Sequence, residues 1–246
     1  MKTFLTEKEV TDICEAGANV RDCTLLWLMW ESGIRVSEAV SMRRDGLDLE
    51  RGSAFIRRSK VKYLRLCPGC GKKSGHKNYF CHECGLSLKS IEPKPEAGGT
   101  LRRIIQIGPV TRGYLLKHLE ALDRGAKTLW VFPSPRDFSR HLTNNGAGDI
   151  VRRAAEAAGL GGCIIDHPDF DTRHKVSPHR LRDAAAVREF RKSPTLEGIR
   201  VIASQLGHRN PETTFQHYIK LVASGELGGS GGPEYPRKYP ARARLL

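Results

Sequence analysis

Hydrophobic and polar positions alternate with helical spacing over most of the chain. Thr6-Glu7-Lys8-Glu9 reads as a capping box, with Leu5 and Val10 placed as a hydrophobic staple, so a short helix is expected to about Ala16. Thr24 to Trp30 is apolar on most sides and predicts a buried helix ending at Gly33, with Trp27 and Trp30 in the core. Ser37 is placed to cap a third helix through about Met42. Leu47–Leu49 and Ala54–Ile56 read as strands around an Arg51-Gly52 turn, and Arg102–Ile107 resumes as a strand. The remainder reads as helices: about Thr111–Arg124, Leu142–Ala158, His179–Arg191, Thr195–Leu206 and Pro211–Val222. From Gly225 a Gly-Gly-Ser-Gly-Gly stretch and a Pro/Arg-rich end read as a flexible tail.

Composition narrows the class. The chain has 246 residues, 39% of them hydrophobic, as expected of a globular protein. Its longest apolar run, Leu25 to Trp30, is far below the roughly 18 residues that span a bilayer, and no signal peptide is visible. Forty-one Lys and Arg against 27 Asp and Glu give a formal charge of +14. Such an excess points to an anionic partner, usually nucleic acid, because clustered cations gain by releasing condensed counterions. Seven cysteines in a chain with no secretory signal suggest a reducing compartment, hence a cytoplasmic, DNA-associated protein. Cys14, Cys23 and Cys163 stand alone and read as small buried hydrophobes.

The other four form Cys67-Pro-Gly-Cys70-Gly71 and Cys81-His-Glu-Cys84-Gly85, with ten residues between Cys70 and Cys81. Two residues between cysteines let one tight turn present two thiolates, and the following glycine permits the positive φ that turn needs. Two such knuckles match the tetrahedral preference of Zn²⁺, and a closed set of four thiolates makes the metal structural. His76 and His82 are alternative ligands in a more complicated set. Lys72, Lys73, His76 and Lys77 between the knuckles read equally as phosphate contacts or as a solvated hairpin tip. The segment Cys67–Gly99 thus interrupts a β-hairpin.

Five short patterns follow in order: Gly33-Ile34-Arg35-Val36-Ser37-Glu38; Arg57-Arg58-Ser59-Lys60; Ser177-Pro178-His179-Arg180-Leu181-Arg182; Gln205-Leu206-Gly207-His208; and Glu212 to Tyr218. Together they resemble the tyrosine recombinase/integrase family, over roughly residues 5 to 222 apart from the insert. The resemblance implies an α+β fold: a mostly helical catalytic domain with a small antiparallel sheet and a zinc ribbon inserted in a β-hairpin. It implies a catalytic domain over 1–66 and 100–224, a ribbon over 67–99 and a basic tail over 225–246. The insert gives the chain a more archaeal than bacterial look.

The residue types suit metal-free cleavage of a phosphodiester. Planar, permanently charged guanidiniums hold non-bridging oxygens, and Arg35 and Arg182 match the family's two arginines. Glu38, one turn from Arg35, matches the acidic residue that braces it. Tyr218 matches the nucleophile. A phenol has a pKa near 10 and needs a proton acceptor, the role matched by His179. His208 matches the second histidine, near the phosphate. Lys60 matches the general acid for the 5′-oxygen, with Lys62 two residues on as the alternative. Asp183 replaces the histidine frequent after the second arginine, and the ten-residue step from His208 to Tyr218 is one longer than usual. Only 34 residues precede Arg35, so a separate DNA-clamping domain is expected to be missing. Either this is a catalytic half, or the ribbon and basic surface supply the grip.

The expected activity is site-specific recombination of double-stranded DNA through a 3′-phosphotyrosyl intermediate. It needs no ATP or catalytic metal and uses four protomers on two duplexes. Two rivals remain: type IB topoisomerase-like religation, and a non-catalytic zinc-ribbon module that only binds DNA.

Overall fold

The computed structural model describes residues 4–58, 62–96, 101–125, 127–166 and 173–193, and positions 195, 197, 198, 200, 202 and 206. It divides into two compact units, one formed by Met1–Ala54 with Ile105–Leu246, the other by Phe55–Ile104.

The first unit is mostly helical. Helix α1 (Glu7–Glu15) opens with the expected capping box: the Glu9 N–H donates to Thr6 Oγ1, and the Thr6 N–H donates to Glu9 Oε2. Leu5 and Val10 are both buried, as a staple requires. Helix α2 (Val20–Ser32) is capped by Asn19, whose side-chain oxygen accepts the Asp22 N–H at 3.0 Å. Every residue from Asp22 to Trp30 is buried. An all-round apolar helix belongs at the centre of the core, and α2 packs on α1 and on the later helices α4 (Pro109–Gly125) and α6 (Pro178–Lys192). It stops at Gly33, whose φ of 59° is the left-handed cap that glycine reaches without strain.

Helix α3 corrects one expectation. It spans Val36–Val40 with Arg35 at the N-cap, so Ser37 lies in its first turn and caps nothing. The Glu38 carboxylate accepts the Arg35 backbone N–H at 3.2 Å and takes over that role.

A 3-10 turn (Arg44–Gly46) leads into β1 (Leu47–Asp48), which pairs antiparallel with β2 (Ser53–Arg58). On the other edge of β2 lies the strand Leu101–Gln106, called β6 in chain order. The second unit takes in the adjoining parts of β2 and β6 and the sequence between them. Its sheet has β3 (Lys62–Leu66) at the centre, flanked by β4 (Lys73–Gly75) and β5 (Lys94–Glu96), both antiparallel to it.

After β6, α4 receives an unusual cap. The Thr111 N–H donates at 2.7 Å to the carboxylate of Glu31, from the end of α2. An anion at a helix N-terminus satisfies an orphan donor and complements the dipole. Helix α5 (Asn144–Ala157) is capped by Thr143, rather than starting at Leu142 as expected.

Two hairpins appear in the stretches between the expected helices, where no element was expected. They are β7 (Pro133–Ser134) with β8 (Asp137–His141), and β9 (Ile164–Asp166) with β10 (Arg173–Lys175). Strand β8 is exposed along almost its whole length, so it carries no apolar alternation to betray it. Beyond α6, Ile202 and Leu206 are helical and buried, and they cluster with Ala186, Val187 and Phe190. The expected helix Pro211–Val222 and the tail lie outside the described residues. Among the described residues, no helix is long and apolar enough to cross a membrane.

Candidate functional site

The first constellation lies at the end of α2 and the start of α6. Gly33 turns the chain, Ile34 is buried, and the Arg35 side chain follows at three-quarters burial. Its Nη1 donates to Glu38 Oε1 at 3.3 Å and to the carbonyl of Leu206 at 3.0 Å. Glu38 is buried, so its carboxylate holds Arg35 at both the backbone and the side chain.

Pro178 starts α6, and its fixed φ suits the first turn. The helix then buries Arg180, Leu181 and Arg182. Arg182 donates through Nη1 to the Gly33 carbonyl at 2.5 Å and through Nη2 to the Leu206 carbonyl at 2.6 Å. Arg35 and Arg182, 147 positions apart in sequence, therefore share one backbone oxygen. Their nitrogens can be no farther apart than the two hydrogen bonds laid end to end. At that range two like charges repel by roughly 3 kcal/mol at an effective dielectric of 20. Glu38 offsets part of this repulsion. A further anion between the guanidiniums, such as a phosphodiester oxygen, would be drawn in by charge-assisted bonds.

His179 points outward, its side chain 72% exposed, with Nε2 3.9 Å from Asp183 Oδ1. The buried Arg180 Nη1 lies 3.0 Å from Asp183 Oδ2, an ion pair without hydrogen-bond alignment. Thus Arg35, Glu38 and Arg182 come together, while His179 stands on the exposed side of the same helix end. Lys60, His208 and Tyr218 lie outside the described residues. So does the side chain of Lys62, whose backbone pairs with Glu96.

Sequence reasoning did not anticipate the two carbonyl acceptors, at Gly33 and Leu206. A backbone oxygen is common to every residue type, so nothing in the pattern marks it. Nor did it single out Arg180. The available signal is an arginine among the Leu, Ala, Val and Phe positions that α6 buries.

The second constellation is in the inserted unit. The Sγ atoms of Cys67, Cys70, Cys81 and Cys84 all lie within 4.8 Å of one another. The Cys67–Cys84 and Cys70–Cys81 pairs are each 3.5 Å apart. A tetrahedron with Zn–S bonds of ~2.3 Å has edges of about 3.8 Å, so the cluster has the size of a zinc site. Each knuckle closes by a backbone bond, Gly71 N–H to Cys67 O and Gly85 N–H to Cys81 O, both 2.9 Å, with the glycines at φ 69° and 73°. Backbone N–H groups of Cys84 and Glu83 aim at Cys81 and pull its thiol down to about 6. Cys70, although the Lys72 N–H favours its thiolate, is pushed up to about 12 by burial and the neighbouring sulfurs. Four sulfurs this close ionise together only around a cation. The cluster can hold a metal, and four thiolates suit Zn²⁺.

The chain is similar to known proteins. Residues 3–69 match the model of the phage integrase family. Tyrosine recombinase XerD of Neisseria meningitidis serogroup B is 27% identical over 232 residues, covering 91% of this chain and 61% of the relative. Tyrosine recombinase XerA of Thermococcus kodakarensis is 24% identical over 226 residues, covering 92% of the chain and 56% of that relative. The chain thus spans about three fifths of the length of the curated relatives it matches. The crystal structure of a XerA recombinase superposes with a TM-score of 0.62 at 20% identity, over 92% of this chain and 63% of the other. The XerH site-specific recombinase bound to its difH substrate gives 0.58 at 16% identity, over 92% and 53%.

Proposed function

We propose that this chain, which belongs to the tyrosine recombinase/integrase family, cuts and rejoins double-stranded DNA at a specific site through a 3′-phosphotyrosyl intermediate. The observation that carries the reading is the convergence of Arg35 and Arg182 on the Leu206 carbonyl. Two permanent cations, one buried and one three-quarters buried, fixed on one point suit a phosphate whose charge grows during in-line displacement. Leu206 is two residues before His208, which brings a third phosphate ligand to the same stretch of sequence.

In this reading Tyr218 Oη attacks the scissile phosphorus and passes its proton to His179. The bond to the 5′-oxygen breaks, and Lys60, or Lys62 in its place, protonates the leaving hydroxyl. Arg35, Arg182 and His208 hold the pentavalent phosphate, and Glu38 keeps Arg35 aimed. A 5′-hydroxyl of a partner duplex then attacks the phosphotyrosine and releases Tyr218. The ester conserves the bond energy, so neither ATP nor a catalytic metal takes part. Four protomers on two duplexes would carry out the exchange. The catalytic part is residues 1–66 and 100–224, with the ribbon over 67–99 and a basic tail over 225–246. In the ribbon Cys67, Cys70, Cys81 and Cys84 hold a structural Zn²⁺.

A nicked suicide duplex resolved on a denaturing gel tests the chemistry. The expected result is a covalent protein–DNA adduct with the wild type and none with Tyr218→Phe. An adduct that survives Tyr218→Phe would overturn the assignment of the nucleophile. Relaxation of a supercoiled plasmid bearing no recombination site would place the chemistry with the topoisomerases instead.

A further inference from the structure

We infer that the inserted unit is itself a grip on duplex DNA, separate from the arginine pair. This rests on the reading of DNA as the partner and extends it to a surface that plays no part in cleavage.

Charge is the first support. Phe55–Ile104 contains twelve Lys and Arg against three Asp and Glu, a formal +9 out of +14 for the whole chain. A fifth of the residues thus carries most of the net charge. Without a polyanion, such a density only repels itself.

The second support is where the cations stand. In the β4-β3-β5 sheet, Lys73 pairs with Leu66 and Lys94 with Leu64. Residues 64 and 66 share one face of β3, so Lys73 and Lys94 share it too. Both lysines are exposed, and so is Leu66. On the opposite face Arg65 and its partner Ser74 are buried, while Tyr63 is exposed. The Arg65 guanidinium is held by the carbonyls of Ile91 and His76 and lies 5.4 Å from the Tyr79 ring centre. It is held within the fold and does not reach out as a DNA contact. Lys77 is exposed in the turn after β4, and Lys89 stands 5.6 Å from the ring centre of Phe80.

The third support is apolar. Tyr63, Leu66, Tyr79, Phe80 and Leu86 are all more than two-fifths exposed on this small unit. Large side chains left in water beside lysines fit a surface that is covered in use. Lysines for phosphates, with aromatic and aliphatic groups for sugar and groove edges, match DNA.

Fluorescence anisotropy with a labelled scrambled-sequence duplex, titrated at several salt concentrations, tests this on the full chain. The variant carries Lys73→Gln, Lys77→Gln, Lys89→Gln and Lys94→Gln together. Each phosphate contact adds about 0.9 to the slope of log K against log salt, so removing all four should lower the slope by about 3.6 and the affinity at least about tenfold. Arginine at the same four positions should retain both. A glutamine variant with unchanged slope, beside a wild type that binds, overturns this inference and leaves the proposed chemistry standing. A wild type that binds no duplex overturns the DNA reading itself. Tighter lysine-dependent binding to single strands or to polyglutamate than to duplex would also overturn the assignment.

Discussion

Replacing Gly33 by alanine tests the link between fold and site most directly. At φ 59° any residue with a Cβ is strained, by about 1–2 kcal/mol. The new Cβ would also lie 2.7 Å from Leu206 Cδ2 and 3.6 Å from Ala185 Cβ. Carbon atoms prefer roughly 3.5–4.0 Å, so Leu206 must retreat by about 1 Å. Its side chain is buried among Ala186, Val187, Phe190 and Ile202, where such overpacking costs about 1–3 kcal/mol. The whole change is therefore about 2–5 kcal/mol, which for a domain of this size lowers Tm by roughly 4–20 °C. The same retreat moves the carbonyl that Arg35 and Arg182 share. A misplacement near 1 Å can cost about a hundredfold in rate. Thermal unfolding by circular dichroism, paired with adduct formation on the suicide duplex below the new Tm, reads both effects. A Tm within about 1 °C of wild type, with undiminished adduct, would refute the packing and the role given to Leu206.

Other expectations follow from separate parts of the molecule. Gly113 lies within α4, and a Cβ added there would meet nothing within 4 Å, so Gly113→Ala should stabilise by about 1 kcal/mol, with Tm rising accordingly; a fall would contradict the open helical surface. His118 is buried, stacked on Phe132, and donates through Nε2 to the Val131 carbonyl at 2.8 Å. Burial lowers its pKa, so the unfolded chain binds the proton more readily. Stability should decline as pH falls below the ordinary histidine value of 6.5, and His118→Gln should flatten that decline in denaturant melts; an unchanged pH profile would count against it. Cys67→Ser removes one of four thiolates and should lower the bound zinc measured by atomic absorption, while residues of the first unit keep their hydrogen-exchange protection; full zinc occupancy would rule out the four-cysteine site.

The parts that local physics dictates were readable in the sequence. Thr6 and Glu9 announce α1, and Gly33 announces the end of α2, because caps act over three or four residues. The cysteine knuckles were readable because two-residue spacing is itself a geometric constraint. Arg35 and Arg182 were legible only through their motif. What they touch was not, because the Leu206 and Gly33 carbonyls arrive through tertiary packing. The two small hairpins escaped for a related reason: β8 is exposed along most of its length and shows no alternation, and β9 and β10 have three residues each. The start of α3 was misplaced by one cap, because a glutamate at its third position outcompeted a serine.

Strands β2 and β6 remain hydrogen-bonded neighbours although more than forty residues separate them in sequence. The excursion leaves and re-enters at adjacent points, about one strand spacing apart, and the entropy of closing such a loop grows only with the logarithm of its length. The parent sheet could also close over a two-residue turn. Evolution could therefore graft, trade or discard this cassette at modest thermodynamic cost to the domain that hosts it.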